Sequence, residues 1–291
     1  MSARSFIVAE IYHKRRSKSM NARFAVELPG HFHYSGYENG AGFHGGVFMI
    51  DLKEKVVLIT GGGRGIGRAA AERFAAERSR VAICARTEGE VIGTAKEIEA
   101  AGGVVRPFRI DLSSRREVQR MVAQIVSEWG MIDLLINNAS VLGPSEPIAT
   151  YPAEAWEEVI RININGTFYI TQAVVRTMIP RRAGTILSVT SSVGRRGRAT
   201  WGAYSVSKFA LEGMMQTLAE EVAPFGLRVI TLNPGGTRTR MRAAAYPKED
   251  PARLQDPARV AKALLFLARV AADRDLHGKS VDMADLSTET S

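Results

Sequence analysis

Two residues, Tyr204 and Lys208, carry side chains suited to moving a proton. They are four positions apart in a segment with helical periodicity. Residues at i and i+4 share a helix face, so the phenol and the ammonium are expected to lie close together. A phenol with a pKa of about 10 is a poor acid at neutral pH, but a nearby positive charge stabilises the phenolate and lowers that pKa. The pair therefore predicts proton transfer to or from a carbonyl oxygen.

A tyrosine four positions before a lysine is common by itself. The pair indicates a functional site only in combination with other polar residues. Ser191 lies thirteen residues before Tyr204 at the end of a predicted strand, where its hydroxyl can hydrogen-bond a substrate carbonyl. Asn137-Asn138-Ala139 ends another predicted strand. Asn163 lies in a long helical segment, where asparagine is unfavourable unless its side chain has a task. We predict a carbonyl-processing site.

A glycine-rich turn, TGGGRGIG at 60–67, joins the first predicted strand to the first predicted helix. Glycines let the backbone approach a phosphate closely, and the helix start presents N–H groups and a partial positive charge. A strand before the turn and a helix after it are the context that a dinucleotide site requires. The predicted cofactor-binding residues of this turn are Gly61, Gly63, Arg64, Gly65, Ile66 and Gly67.

The end of the second predicted strand bears on which dinucleotide binds. An acidic residue there favours NAD, whereas this chain has Cys84-Ala85-Arg86-Thr87 and no carboxylate before Glu88. Arg86 and Arg64 are two guanidinium groups that suit a 2′-phosphate. We therefore expect NADP(H) as the preferred cofactor, with NAD(H) still possible.

Strands and helices alternate along the chain from residue 51. Apolar runs predict strands at 55–60, 80–85, 104–110, 132–137, 185–189, 227–232 and 278–283. Helical spacing predicts helices at 65–78, 88–101, 115–129, within 152–179, at 204–223 and at 257–269. Such alternation predicts parallel strands with right-handed crossovers. The expected fold is α/β: a Rossmann-type doubly wound parallel sheet in a three-layer α/β/α sandwich, formed by a single domain.

Composition excludes several classes of protein. With 45% hydrophobic and 24% charged residues the chain is not globally disordered, and it has no apolar run long enough to cross a bilayer. The single cysteine, Cys84, excludes an intrachain disulfide. Four of the five histidines lie in the first fifty residues, which argues against a histidine-based hydrolase or zinc enzyme, so we expect no metal. The net charge of +9 could indicate nucleic acid, but no such motif is present, and we expect neither a nucleic-acid nor a membrane partner.

The first 48 residues differ in amino-acid composition from the rest of the chain. A basic cluster at 14–18 and a Gly/His/aromatic segment at 30–46 could be a nuclear signal, a mitochondrial presequence or a metal-binding tract. Glu10 and Glu27 disfavour a presequence. We interpret residues 1–48 as a flexible extension, residues 49–291 as the catalytic domain, and the location as cytoplasmic.

Taken together, these motifs resemble the classical short-chain dehydrogenase/reductases over about residues 51–285. The matching elements are TGGGRGIG at 60–67, Asp111, NNA at 137–139, Asn163, Ser191, YSVSK at 204–208 and NPGG at 233–236. The resemblance implies that Tyr204 exchanges the proton and that Lys208 binds the nicotinamide ribose and lowers the pKa of Tyr204. It implies further that Ser191 orients the carbonyl, that Asn163 holds a water in a proton relay and that Asp111 bonds the adenine. The other implied cofactor contacts are Leu112, Asn138, Ala139, Pro234, Gly235, Thr237 and Thr239.

The chain departs from the family pattern in two places. Ser140 replaces the usual glycine after NNA, which adds bulk beside the cofactor. Met283-Ala284-Asp285 follows the last strand instead of a glycine-ended turn, which puts the C-terminal edge in doubt. The resemblance also implies a homodimer or homotetramer formed through the helices that start near Pro152 and Tyr204.

The substrate is left open by the sequence. We expect residues 237–257 to close the pocket and Leu142, Val193 and Trp201 to line it. Arg195, Arg196 and Arg198 could meet an anionic substrate, such as an acyl chain on a phosphopantetheine carrier, or could be solvated loop charges.

The predicted activity is carbonyl–alcohol interconversion on a small molecule, with two alternatives. The first is a 3-oxoacyl-carrier-protein reductase activity. The second is a non-catalytic NADP(H) sensor, which would typically lack one of Ser191, Tyr204 and Lys208. An enoyl reductase of related fold usually has its tyrosine and lysine farther apart.

Overall fold

Seven parallel strands form the centre of the protein. The computed structural model describes residues 49–270 and 276–286. The strands are β1 (Val56–Thr60), β2 (Arg80–Ala85), β3 (Val104–Arg109), β4 (Leu134–Asn137), β5 (Thr185–Val189), β6 (Arg228–Asn233) and β7 (Ser280–Asp282). Their order in the sheet is β3-β2-β1-β4-β5-β6-β7, and every neighbouring pair is parallel. The predicted doubly wound sheet is confirmed.

Helices cover both faces of the sheet. They are α1 (Gly65–Ala76), α2 (Glu88–Ala100), α3 (Arg115–Trp129), α4 (Ala153–Ile160), α5 (Thr167–Met178), α6 (Gly202–Val222), α7 (Arg240–Ala245) and α8 (Pro257–Arg269). One buried apolar cluster joins the sheet to α1, α2 and α8. A second cluster joins the opposite face to α3, α5 and α6. The result is the expected three-layer sandwich.

The central strand β1 shows why its sequence is an unbroken apolar run. Val57 and Ile59 belong to the first cluster, whereas Val56 and Leu58 belong to the second. All four side chains are at most 2% exposed. A strand that is covered on both faces needs apolar residues at every position.

The structure corrects the predicted elements at a few points. The segment 152–179 is two α-helices, α4 and α5, joined by a π-helical turn at Arg161–Gly166. Helix α7 lies in the stretch that we expected only to close the pocket. Strand β3 contains Pro107, which lacks an N–H and is tolerated because β3 lies at the edge of the sheet. The expectations for residues 1–48 lie outside the described residues.

Candidate active site

A cavity of about 800 Å³ opens at the carboxyl ends of the strands. Its walls are the segments that follow each strand from β1 to β6, and strand order reverses between β1 and β4 at this edge. Ligands of doubly wound sheets bind at such a point. All the predicted catalytic and cofactor residues line the cavity except Gly67 and Asn163.

The glycine turn is shaped by close backbone contacts. Gly61 has a φ of +68°, a conformation that favours glycine. A Cβ atom on Gly67 would lie 2.2 Å from the Gly61 carbonyl oxygen, so Gly67 allows the turn to close instead of lining the cavity. No side chain caps the start of α1 at Arg64. Its first N–H groups are therefore available to a phosphate.

The NNA motif holds the glycine turn in place. The backbone N–H groups of Asn138 and Ala139 donate to Thr60 Oγ1 at 2.9 and 3.0 Å. Asn138 Nδ2 donates to the Thr60 carbonyl at 2.9 Å. These bonds tie the ends of β1 and β4 together at the floor of the cofactor half of the cavity.

The two arginines assigned to a 2′-phosphate both line the cavity, but each has a carboxylate partner. Arg86 pairs with Glu158 at 3.2 Å, and Arg64 pairs with Glu90 at 3.5 Å. Both arginine side chains are about half exposed, at 48% and 55%. Such ion pairs are weak and exchangeable, so either guanidinium can turn to a bound phosphate.

Asp111 also lines the cavity, next to Leu112. Its carboxylate accepts from the Ser113 N–H and hydroxyl and pairs with Arg161 at 3.3 Å. Burial alone would raise the pKa of Asp111, but the bonds from Ser113 and Arg161 outweigh it and lower the pKa. The carboxylate is therefore ionised and able to accept a hydrogen bond from a ligand.

Tyr204 and Lys208 lie together on the first turns of α6, as predicted. Lys208 Nζ is 5.6 Å from the centre of the Tyr204 ring, and both residues are buried. The same ammonium donates to the Val189 carbonyl at 2.9 Å, at the end of β5. Burial raises the pKa of Tyr204 to about 12, against a hydrogen bond with Ser191 that lowers it. Burial lowers the pKa of Lys208 to about 8, against the charge of Glu212, which raises it.

Ser191 completes this group from the neighbouring strand end. It follows β5 and caps a short 3₁₀ turn, Ser192–Gly194. The Ser205 hydroxyl of α6 donates to the Val193 carbonyl at 2.7 Å, which binds that turn to the helix of Tyr204. A carbonyl placed between Ser191 and Tyr204 would meet two hydroxyl donors.

Asn163 lies in the π-helical turn outside the cavity. Its Oδ1 accepts from the Val141 N–H at 2.8 Å. Its Nδ2 donates to the Val141 carbonyl at 2.9 Å and to Ser207 Oγ at 3.0 Å. The side-chain amide therefore connects the loop after β4 to α6, and its hydrogen bonds go to Val141 and Ser207 and not to Lys208.

The NPGG turn after β6 forms the remaining wall. Gly235 has a φ of +66°, and its N–H donates to Asn233 Oδ1 at 3.2 Å. Thr237 is buried, and Thr239 caps α7 by accepting from the Arg242 N–H. Pro234 lines the cavity beside them.

The predicted substrate wall is partly corrected. Leu142 and Trp201 line the cavity, but Val193 packs away from it and is 5% exposed. Arg195 is held by Asp282 at the end of β7 through two bonds of 2.5 and 2.9 Å. Arg196 lies outside the cavity, and only Arg198 of the three arginines lines it.

Glu212 was missed in the sequence although it lies one helical turn after Lys208. It is 5% exposed. Its carboxylate accepts from Thr231 Oγ1 at 3.2 Å and from Ser280 Oγ at 2.9 Å, so α6, β6 and β7 meet there. The sequence did contain a signal for this residue, an acidic side chain four positions after the lysine. The same spacing is equally typical of an ion pair on a helix surface.

Six of the seven arginines that line the cavity pair with carboxylates. The pairs are Arg64 and Arg240 with Glu90, Arg68 with Glu72 and Glu97, Arg86 with Glu158, Arg238 with Asp256, and Arg242 with Glu249. The basic character of the cavity is therefore largely compensated.

Metal-binding clusters and membrane-spanning helices are both absent from the described residues. No three His, Cys, Asp or Glu side chains in 49–270 and 276–286 group closely enough to hold a metal ion. No helix in the same ranges has the length and apolar character to cross a membrane.

Comparison with known proteins identifies the family. The family model described as short chain dehydrogenase matches residues 55–250. The oxidoreductase YciK of Escherichia coli K12 is 40% identical over 219 residues, 74% of this chain and 86% of the relative. The 3-oxoacyl-[acyl-carrier-protein] reductase FabG of Thermotoga maritima is 34% identical over 225 residues, 75% of this chain and 91% of the relative.

A solved structure that is similar to this chain supports the same family. It is a short chain dehydrogenase of E. coli CFT073 in complex with NADPH, with a TM-score of 0.75 and 38% identity over 80% of this chain and 98% of that one. The chain belongs to the short-chain dehydrogenase family of oxidoreductases.

Proposed function

We propose that the protein is an NADP(H)-dependent oxidoreductase that interconverts a carbonyl and a secondary alcohol on a small molecule. The observation that carries this proposal is the placement of Tyr204, Lys208 and Ser191 on one wall of a cavity whose other half begins at the glycine turn. A sensor that binds the cofactor without turnover has no need of all three side chains.

The cofactor half of the cavity fits a dinucleotide. The uncapped start of α1 and the close-packed glycines offer N–H groups to a diphosphate. Ser140 and Thr190 add two buried hydroxyls on the cavity wall that have no partner within the described residues. We assign the 2′-phosphate to Arg86 and Arg64, the adenine to Asp111, and the nicotinamide end to Lys208 and the turn from Pro234 to Thr239.

When bound, NADPH supplies the hydride that reduces the carbonyl carbon. Ser191 donates a hydrogen bond that holds the carbonyl oxygen, and Tyr204 gives its hydroxyl proton to that oxygen. The positive charge of Lys208 stabilises the phenolate that remains. The reverse sequence oxidises the alcohol, with the Tyr204 phenolate accepting the proton.

The role of Asn163 in a proton relay stays a prediction. Its amide is engaged by Val141 and Ser207, so the contacts support a positioning role for the side chain.

We further propose a homo-oligomer that works in the cytoplasm. The apolar side chains exposed on α5 and α6 support the oligomer.

A 3-oxoacyl thioester on a carrier protein is the second candidate substrate. The similarity to the Thermotoga reductase favours it. Comparing reduction of 3-oxobutanoyl carrier protein with reduction of simple ketones distinguishes this activity from that of a small-molecule reductase.

The decisive test is Tyr204→Phe, assayed by NADPH absorbance against a panel of ketones. We expect turnover to fall about a thousandfold, because the proton donor is lost, while NADPH binding by fluorescence is retained. Tyr169→Phe, on α5 and outside the cavity, is the matched control and keeps activity. Equal activity of Tyr204→Phe and the wild type would refute the mechanism.

A further inference from the structure

The substrate half of the cavity begins with an aromatic wall next to the reacting phenol. The ring of Trp201 is 5.7 Å from the ring of Tyr204 and 5.6 Å from the ring of Tyr246, centre to centre. All three residues line the cavity. A flat apolar substrate that reaches Tyr204 would therefore lie along two further aromatic rings.

The far end of this wall is held in place by charged groups. The Arg242 guanidinium lies 3.9 Å from the centre of the Tyr246 ring. Arg242 in turn makes two bonds to Glu249, at 2.5 and 2.6 Å. Because Glu249 neutralises Arg242, this arginine supports Tyr246 and is not free to bind an anion.

Arg198 is different from every other arginine of the cavity. Its guanidinium donates to the Tyr246 hydroxyl, which fixes one side of the group against the aromatic wall. Within residues 49–270 and 276–286 it has no carboxylate partner, whereas the six other lining arginines each have one. One positive charge therefore stays without a carboxylate partner in the substrate half of the cavity.

We propose that the natural substrate is an anionic carbonyl compound whose charged group binds Arg198 while its apolar body lies on Trp201 and Tyr246. This inference rests on the proposed function, since it places the reacting carbonyl at Tyr204 and Ser191. The planar guanidinium fork suits a carboxylate or a phosphate. A carboxylate on a small substrate and a phosphate on a carrier are both anions that this guanidinium could bind. The experiment below is designed to distinguish these two sources.

The test uses pairs of ketones in which both members carry the same reacting carbonyl and one is anionic while the other is neutral. The first pair is 4-acetylbenzoate and its methyl ester, and a longer pair is 4-(4-acetylphenyl)benzoate and its methyl ester. The carrier pair is 3-oxobutanoyl-coenzyme A and the neutral N-acetylcysteamine thioester of the same acyl group. The readouts are kcat/KM with NADPH and calorimetric binding to the enzyme–NADP⁺ complex.

We expect the wild type to prefer the anion of at least one pair by about fivefold. Arg198→Gln should abolish that preference by raising KM for the anion, and Arg198→Glu should reverse it. In both variants KM for the neutral partner should change much less than KM for the anion, because only the anion loses a charged partner. Arg196→Gln, two residues away and outside the cavity, is the matched control and keeps the preference. The pair that responds shows whether the anion is a carboxylate or a carrier phosphate.

Two results would overturn the inference. One is a wild type that neither turns over nor binds any anion better than its neutral partner. The other is an anion preference that survives in Arg198→Gln. If neutral ketones are turned over in a Tyr204-dependent way but no anion is preferred, only this inference fails. If anions bind in an Arg198-dependent way but no ketone is turned over, only the proposed function fails.

Discussion

At the catalytic residues, burial opposes the charged forms that the chemistry requires. It raises the pKa of Tyr204 to about 12 and lowers the pKa of Lys208 to about 8. A neutral lysine could not stabilise a phenolate. The negative charge of Glu212, held by Thr231 and Ser280, acts in the opposite direction on Lys208.

Glu212→Gln should therefore change the pH dependence of the reaction. Removing the carboxylate removes the charge that raises the pKa of Lys208, so the lysine loses its proton at lower pH. We expect the basic limb of the kcat/KM profile to move about one unit toward lower pH. Glu220→Gln, on the exposed side of the same helix, is the control and leaves the profile in place. A lower kcat/KM with both limbs unmoved would indicate a purely structural role for Glu212.

Cofactor selectivity is also decided by single side chains. Arg86→Ala should reduce the preference for NADPH over NADH about tenfold, because one guanidinium contact to the 2′-phosphate is lost. The measurement is the ratio of kcat/KM for the two cofactors. Arg106→Ala, which breaks an exposed ion pair with Glu128 outside the cavity, should leave the ratio unchanged. An unchanged ratio in Arg86→Ala would disprove the 2′-phosphate assignment.

At the scale of elements, the active site depends on how strand ends are tied together. Thr60 and Asn138 connect β1 to β4, and Asn163 connects the loop after β4 to α6. At β7, Asp282 holds Arg195 and also accepts from Asn233 Nδ2 at 2.5 Å. The C-terminal edge, which the sequence left in doubt, therefore supports two loops of the site.

Gly67→Ala tests the packing of the glycine turn. The new methyl group would meet the Gly61 carbonyl at 2.2 Å, so the turn must open. We expect a loss of about 2–3 kcal/mol in the free energy of unfolding, together with weaker NADPH binding.

Gly93→Ala is the matched control for this prediction. Gly93 lies inside α2, and a Cβ there would meet nothing within 4 Å outside the backbone of its own helix and its chain neighbours. That variant should gain about 0.5–1 kcal/mol, since alanine favours a helix interior. Urea denaturation measures both variants, and equal stability of the two would contradict the close approach in the turn.

At the scale of the whole molecule, three large apolar side chains are exposed on α5 and α6, and two of them are three positions apart on one face of α6. Phe168 on α5 and Val206 and Phe209 on α6 are 45%, 41% and 45% exposed. Such side chains are typical of an interface when they cluster. They support the proposed homo-oligomer.

The division of the chain at residues 48 and 49 stays a prediction, because residues 1–48 lie outside the described residues.

Phe209→Glu should therefore dissociate the oligomer, because a charge would be buried in an apolar contact. Light scattering should report a smaller mass than that of the wild type. Ile92→Glu changes an exposed apolar residue on α2 (37% exposed) and should keep the wild-type mass. A wild type that is already a monomer would refute the proposed interface.

The sequence by itself determined the features that local rules control. Apolar runs and helical spacing predicted all seven strands and their order of alternation with helices, since each pattern depends on residues within one element. The glycine turn and the Tyr204–Lys208 pair were recognisable for the same reason. The short helix α7 and the π turn were not, because their six residues each carry no period of their own.

Only the tertiary structure decided which charges are compensated. The partners of Arg86, Arg195 and Glu212 lie 72, 87 and 68 residues away in the sequence, at Glu158, Asp282 and Ser280. No local pattern can indicate such pairs, because each joins two elements that are far apart in the sequence and adjacent only in the fold. For the same reason, the sequence left three arginines open for an anionic substrate, and the fold selected Arg198 alone.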